Sequence, residues 1–175
     1  MSEEPTKTPI NKSPFWRFSV KFYAVPGIAP ACIELQDQAG VDVNVLFFLL
    51  WNATRRRAFN REQVADIERR IGAWREMAVV PLRAVRRALR TPPAAMAPDV
   101  AEGFRTRIKA VELEAERLQQ EALYELAQSS LGDPAASPAE AARLSAAAYE
   151  AALRPFPKAS IEAILAAFSG FEPPE

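Results

Sequence analysis

The sequence contains no histidine. That absence removes Ser-His and Cys-His nucleophile pairs, an imidazole general base and nearly all zinc or haem ligation. Cysteine is almost as scarce. Cys32 stands alone, so no internal disulfide can form, which fits a reducing compartment. Nothing beside it in sequence is a positive charge that would lower its pKa, and the expected state is a buried structural thiol. Neither sign of charge is in excess: 22 basic residues balance 22 acidic ones. A global drive toward nucleic acid or an anionic membrane is therefore missing. Long apolar runs are missing too. The longest, Val45–Trp51, falls far short of the ~20 residues a membrane-spanning helix needs. The opening stretch MSEEPTKTPINKSP has no apolar segment of the signal-peptide kind. The expected address is the cytoplasm, with no membrane, metal or cofactor.

What is present is an ordinary globular balance. The 175 residues are 49% apolar and 25% charged, enough for one domain with its own core and no covalent staples. Three parts are expected: a disordered lead-in over 1–12, an all-helical core domain over 13–131, and an accessory alanine-rich helical tail over 132–175. The fold class is all-α, with a central buried helix and a long kinked antiparallel helical hairpin.

The segment from Gln36 to Asn52 anchors that reading. Ser13-Pro14 is a helix start, with serine as cap and proline in the first turn. The helix it opens, 14–23, puts Phe15, Phe18 and Phe22 on one face. Val25-Pro26-Gly27 turns the chain into a second helix over 28–38, with Gly40 as its stop. Asp42 then caps a third helix, 43–54, whose apolar residues run all the way round, as only a helix buried on every side can afford. A strand is the competing reading of VNVLFFLLW, but the chain offers it no partner. Asn60 and Gln63 form a capping box for a long helix over 61–90, with a seam at Val64, Ile67, Ile71, Trp74 and Ala78 and a kink or break at Pro81. Asp99 caps the next helix, to about 131, with a matching seam at Phe104, Ile108, Val111, Ala115, Leu118, Ala122 and Leu126. Matching seams and a short connector make the hairpin. It is charge-sorted: residues 55–90 carry eleven arginines against four acids, and residues 99–128 carry seven acids against four bases. Ser137 and Glu140 box a further helix to about 153, and a short last helix covers 161–168.

Four polar side chains gather where the second helix hands over to the third: Gln36, Asp37, Asp42 and Asn44. If they converge they offer oxygens and an amide to a polar ligand group or a hard cation. The competing account is capping, with Asp42 on the third helix and Asn44 or Asp37 on loop backbone. Asn44 is the most informative, because one turn inside an all-apolar helix its amide needs a buried partner. The arginine band at 55–57 and 83–90 would meet phosphate, or else be a solvated face partly neutralised by the acidic helix. No helix-turn-helix, RNA-recognition or zinc signature accompanies it, and nucleic acid is not the expected partner. The aromatic first helix would line an apolar pocket or pack the core.

Phe-Trp-Arg-Phe-Ser (Phe15–Ser19), Tyr-Ala-Val-Pro-Gly (Tyr23–Gly27), Ala31-Cys32, Leu-Gln-Asp-Gln-Ala-Gly (Leu35–Gly40) and Asp-Val-Asn (Asp42–Asn44) together resemble a bacterial family of small conserved hypothetical proteins carrying a domain of unknown function. The resemblance extends more weakly through the two long helices to about residue 125. It implies bacterial origin and a helical fold, and it brings no activity, cofactor or catalytic residue. Two functional expectations remain open. One is a non-enzymatic cytoplasmic binding module whose partner is another protein or a second copy of the chain. The other is a small-ligand protein or enzyme with a polar pocket at 36–44, using the carboxylates of Asp37 and Asp42.

Overall fold

The central helix forms where its composition demands. Asp42 ends an extended turn, and α3 (Val43–Ala53) follows with every residue from Asn44 to Ala53 buried. A computed structural model describes residues 13–129 and 132–174 of the chain; the lead-in expected over 1–12 lies outside them. α1 (Pro14–Tyr23) packs against α3, and α2 (Ile28–Ala39) and α4 (Arg61–Trp74) precede and follow it in the chain. The caps read from the sequence are in place. The Ser13 side chain accepts the Trp16 N–H, Asn60 and Gln63 exchange the two bonds of a capping box, and Gly40 closes α2 in the left-handed region at φ 68°, which glycine enters at no steric cost.

Aromatic rings join α1 to the core. Phe15 meets Phe48 edge-on at 5.7 Å between centroids, and Phe22 meets Phe47 at 5.3 Å. Phe22 also touches Phe168 and Phe171 from the far end of the chain. The 14–23 aromatic face is thus core packing.

The long helix does not break at Pro81. A π-helical turn at Arg75–Val79 comes first, with the Val80 N–H reaching back to the Arg75 carbonyl, and Pro81 then sits in the first turn of α5 (Val80–Ala88). Widening one turn lets the chain continue past a residue that lacks an N–H. α6 (Pro98–Ser129) returns antiparallel. Asp99, expected as its cap, stands inside its first turn instead.

The α4 seam is as expected, with Val64, Ile67 and Ile71 buried. The α6 seam is not. Phe104, Val111 and Leu118 are exposed, and the buried face is Ala101, Glu112, Ala115, Gln119, Gln120, Leu123 and Ala127. The helix is turned from the expected phase, because Glu112, Gln119 and Gln120 share its buried face with Ala101, Ala115, Leu123 and Ala127.

Beyond α6, Gly132 passes so close to the chain after α3 that an added Cβ would lie 2.5 Å from the Ala58 carbonyl oxygen. That approach allows a two-residue antiparallel bridge between β1 (Arg57–Ala58) and β2 (Asp133–Pro134), the one strand pairing among the described residues. The segment expected as an accessory tail then supplies two helices to the same core. α7 (Pro138–Ala152) buries Ala141, Ala142 and Tyr149, and α8 (Lys158–Ser169) buries Ile164 and Phe168. Of the two placements open to this segment, docked or presented outward, the docked one is observed.

Because Ile164 is fully buried while Val85 on α5 is exposed, Ile164→Ala lowers the unfolding free energy by ~2–4 kcal/mol. Val85→Ala stays within ~0.5 kcal/mol. Urea denaturation measures both, and equally small losses would mean that α8 does not belong to the core.

Candidate functional site

The helices meet at Asp42. Its Oδ1 accepts the N–H groups of Asn44 at 2.9 Å and Val45 at 3.4 Å, which satisfies donors at the start of a buried helix and places a negative charge at its positive end. Its Oδ2 accepts from Arg75 Nη1 at 2.9 Å and from Gln119 Nε2 at 2.5 Å. The Asp42 backbone N–H donates to the Tyr149 hydroxyl at 2.9 Å. That hydroxyl donates to Glu68, and the other Glu68 oxygen accepts from Arg75 Nη1 at 2.7 Å. Asp42, Tyr149, Glu68 and Arg75 therefore close a ring that ties α3 to α4, the π-turn and α7, with Gln119 adding α6.

The π-turn begins at Arg75, the residue whose guanidinium bridges the two carboxylates. Burial by itself would lower the pKa of this group, but Asp42 and Glu68 outweigh it and hold the charged form above its ordinary range. The Tyr149 hydroxyl is pushed well above 10.0 by burial first, then by the nearby charges of Glu68 and Asp42. It is a neutral donor at any physiological pH.

A second cluster lies further out on the hairpin. Arg83 reaches Glu112 at 3.3 Å and Glu116 at 2.8 Å, and Arg86 pairs with Glu112. Burial would raise Glu112, but the hydrogen bond and charge of Arg86, with Arg83, hold it below the usual carboxylate range. Burial pushes Glu116 up, against Arg83. Part of the arginine band is thus neutralised by the acidic helix. Arg55 folds back on α3 instead, stacked on Trp51 at 3.9 Å from the ring centroid and bonded to Asn52.

The four residues singled out in the sequence do not converge. Asp42 and Asn44 are buried at the start of α3, and Asn44 Oδ1 accepts from Gln120 Nε2 at 2.7 Å. Asp37 is on the surface, paired with Arg87 at 3.1 Å with both side chains about half exposed. Gln36 is half-buried in the last turn of α2. Both oxygens of Asp42, both of Glu68 and the Tyr149 hydroxyl are committed to protein partners, so the arrangement works as a clamp. An open depression of about 490 Å³ is bordered by Lys21, Val25, Pro26, Phe171 and Glu172, none of them in the clamp. Among the described residues no three acidic or thiol side chains are grouped so as to hold a metal ion. Cys32 is buried, and burial pushes its thiol up to about 12, far from a reactive thiolate.

Glu68, Gln119, Gln120 and Tyr149 are not among the residues the sequence points to, and Arg75 is there only one of many arginines. Two signals were available: the polar Gln119-Gln120 pair interrupts a helix built on an apolar repeat, and Tyr149 is the sole aromatic residue of an alanine-rich helix.

The profile of a family described as "Protein of unknown function (DUF2390)" matches residues 14–123. The match ends within α6, so Tyr149 lies outside it. Searches of curated proteins and of solved structures return no match.

Tyr149 generates a pH prediction. Above pH 10.0 the unfolded chain loses this proton while the native protein keeps it, so stability falls as pH rises, by about 1.4 kcal/mol per unit from this group. Urea unfolding between about pH 9 and about pH 11.5 shows that extra slope in the wild type and not in Tyr149→Phe. Equal slopes would mean that the hydroxyl ionises freely in the native state.

Proposed function

The chain belongs to this family of proteins of unknown function, and we propose that it is a non-enzymatic helical interaction module of the bacterial cytoplasm whose working surface is the outer face of the α5–α6 hairpin. One observation carries the proposal. α5 has no buried residue, and α6 alongside it exposes Val100, Phe104, Val111 and Leu118 at 57, 43, 51 and 43%. Large apolar side chains repeated along one helix face are what a helix presents to a partner. The clamp at Asp42 supports the reading from the other side, because its acid and hydroxyl groups are already occupied and it serves to hold α6 in place.

The bacterial origin is supported by the Phe15–Asn44 motif, and the balanced charge gives no general drive toward an anionic membrane. Among the described residues no single helix is long and apolar enough to cross a membrane. α1 and α2 reach that composition only as a pair bent by 100°, and both carry their apolar faces in the core.

The test is the double variant Phe104→Glu plus Val111→Glu, which changes only exposed positions. Its melting temperature stays within a few degrees of wild type. Immobilised wild-type chain retains protein from an extract of its own source, or a second copy of itself, and the variant does not. Identical retention by the two would overturn the proposal.

A further inference from the structure

We infer that the occupant of this face is a second copy of the chain, its α6 lying antiparallel across the first with Val111 at the two-fold axis. The inference rests on the interaction reading and names its partner. Val100, Phe104, Val111 and Leu118 are separated by four, seven and seven residues, so they form one row along a single helix. The row is about 27 Å long at 1.5 Å per residue. The exposed Ala122 continues it. α6 runs unbroken for 32 residues, so nothing interrupts this face.

The charges decide the direction. Arg107 and Glu114 are both exposed and border the same edge of the row, four residues before Val111 and three after it. In a parallel, in-register pair this edge of the two copies would lie on opposite sides of the contact, and Arg107 and Glu114 would find no partner in one another. In an antiparallel pair crossing at Val111, Arg107 of each copy faces Glu114 of the other, and Phe104 of each faces Leu118 of the other. The face is therefore self-complementary in the manner a two-fold interface requires. Within one chain Arg107 rests over the Phe104 ring at 5.5 Å, and Glu114 holds Arg117 at 2.7 Å on the exposed surface. Both are local surface contacts that a second copy can replace at little cost. The zero net charge of the whole chain adds no general repulsion between copies.

A contact between single helices is at the small end of specific interfaces, so dimerisation with a dissociation constant of order 10 µM is expected. Sedimentation of purified full-length chain from about 1 to about 200 µM shows a monomer–dimer equilibrium. Val111→Glu removes it. Arg107→Glu and Glu114→Arg each weaken self-association about tenfold or more, because each places like charges opposite one another twice. An equimolar mixture of the two restores it as a heterodimer, in which every facing pair is again opposite in sign. Circular dichroism of each variant confirms that the helices are retained. A wild-type chain that stays monomeric at about 200 µM overturns the self-pairing. So does a mixture no more associated than its components, or a dimer insensitive to Val111→Glu. If the chain is monomeric but still captures another protein in a manner that depends on Phe104 and Val111, only the identity of the partner is wrong. If neither occurs, the interaction reading fails as well.

Discussion

One carboxylate carries three demands at once. α3 is apolar on every side, so its amino-terminal N–H groups open inside the protein, away from water. Unpaired, each would cost about 1–3 kcal/mol. Asp42 satisfies two of them with Oδ1, but it thereby brings a negative charge into the interior, which must itself be compensated. Arg75 supplies the compensation, Gln119 fills the remaining position on Oδ2, and Tyr149 closes the backbone N–H. The apolar centre of the fold and its polar clamp are one requirement met in sequence: the first creates the need for the second.

The phase of α6 follows from the clamp. Gln119 must face inward to reach Asp42, Gln120 to reach Asn44, and Glu112 to meet Arg83 and Arg86. A helix held by those three positions cannot also turn Phe104, Val111 and Leu118 into the protein. The exposed row is therefore a consequence of how the interior is wired rather than a stray surface feature. It connects the buried clamp at Asp42 to the face proposed as the working surface.

Local signals were legible wherever a residue acts within its own few turns. Ser13-Pro14, Gly40, Asp42 and the Asn60–Gln63 box each declare a helix end, and the all-round apolar run of α3 declares its burial. The all-α class followed from them. Harder to read was whatever depends on a partner distant in sequence. The apolar repeat of α6 points Phe104, Val111 and Leu118 inward, and Glu112, Gln119 and Gln120 override it because their partners lie on other helices. For the same reason sequence proximity groups Asp42 and Asn44 with Asp37, which faces solvent and pairs with Arg87, while the structure joins Asp42 to Tyr149 and, through Arg75, to Glu68. Pro81 was visible as an interruption, but not that a π-turn would absorb it and aim Arg75 at Asp42.

The central claim, that the Asp42–Arg75 contact is a structural clamp on which the packing of α3, α4, α6 and α7 depends, is tested most directly by a double-mutant cycle. Asp42→Asn, Arg75→Met and the double variant are compared with wild type by urea unfolding. Each single change leaves a buried charge or donor unmatched, so the double variant is expected to be more stable than the sum of the single losses implies, by a coupling of about 1.5–3 kcal/mol. Losses that add to within about 0.5 kcal/mol would show that the two groups do not depend on each other, and the account of the fold built on them would be wrong.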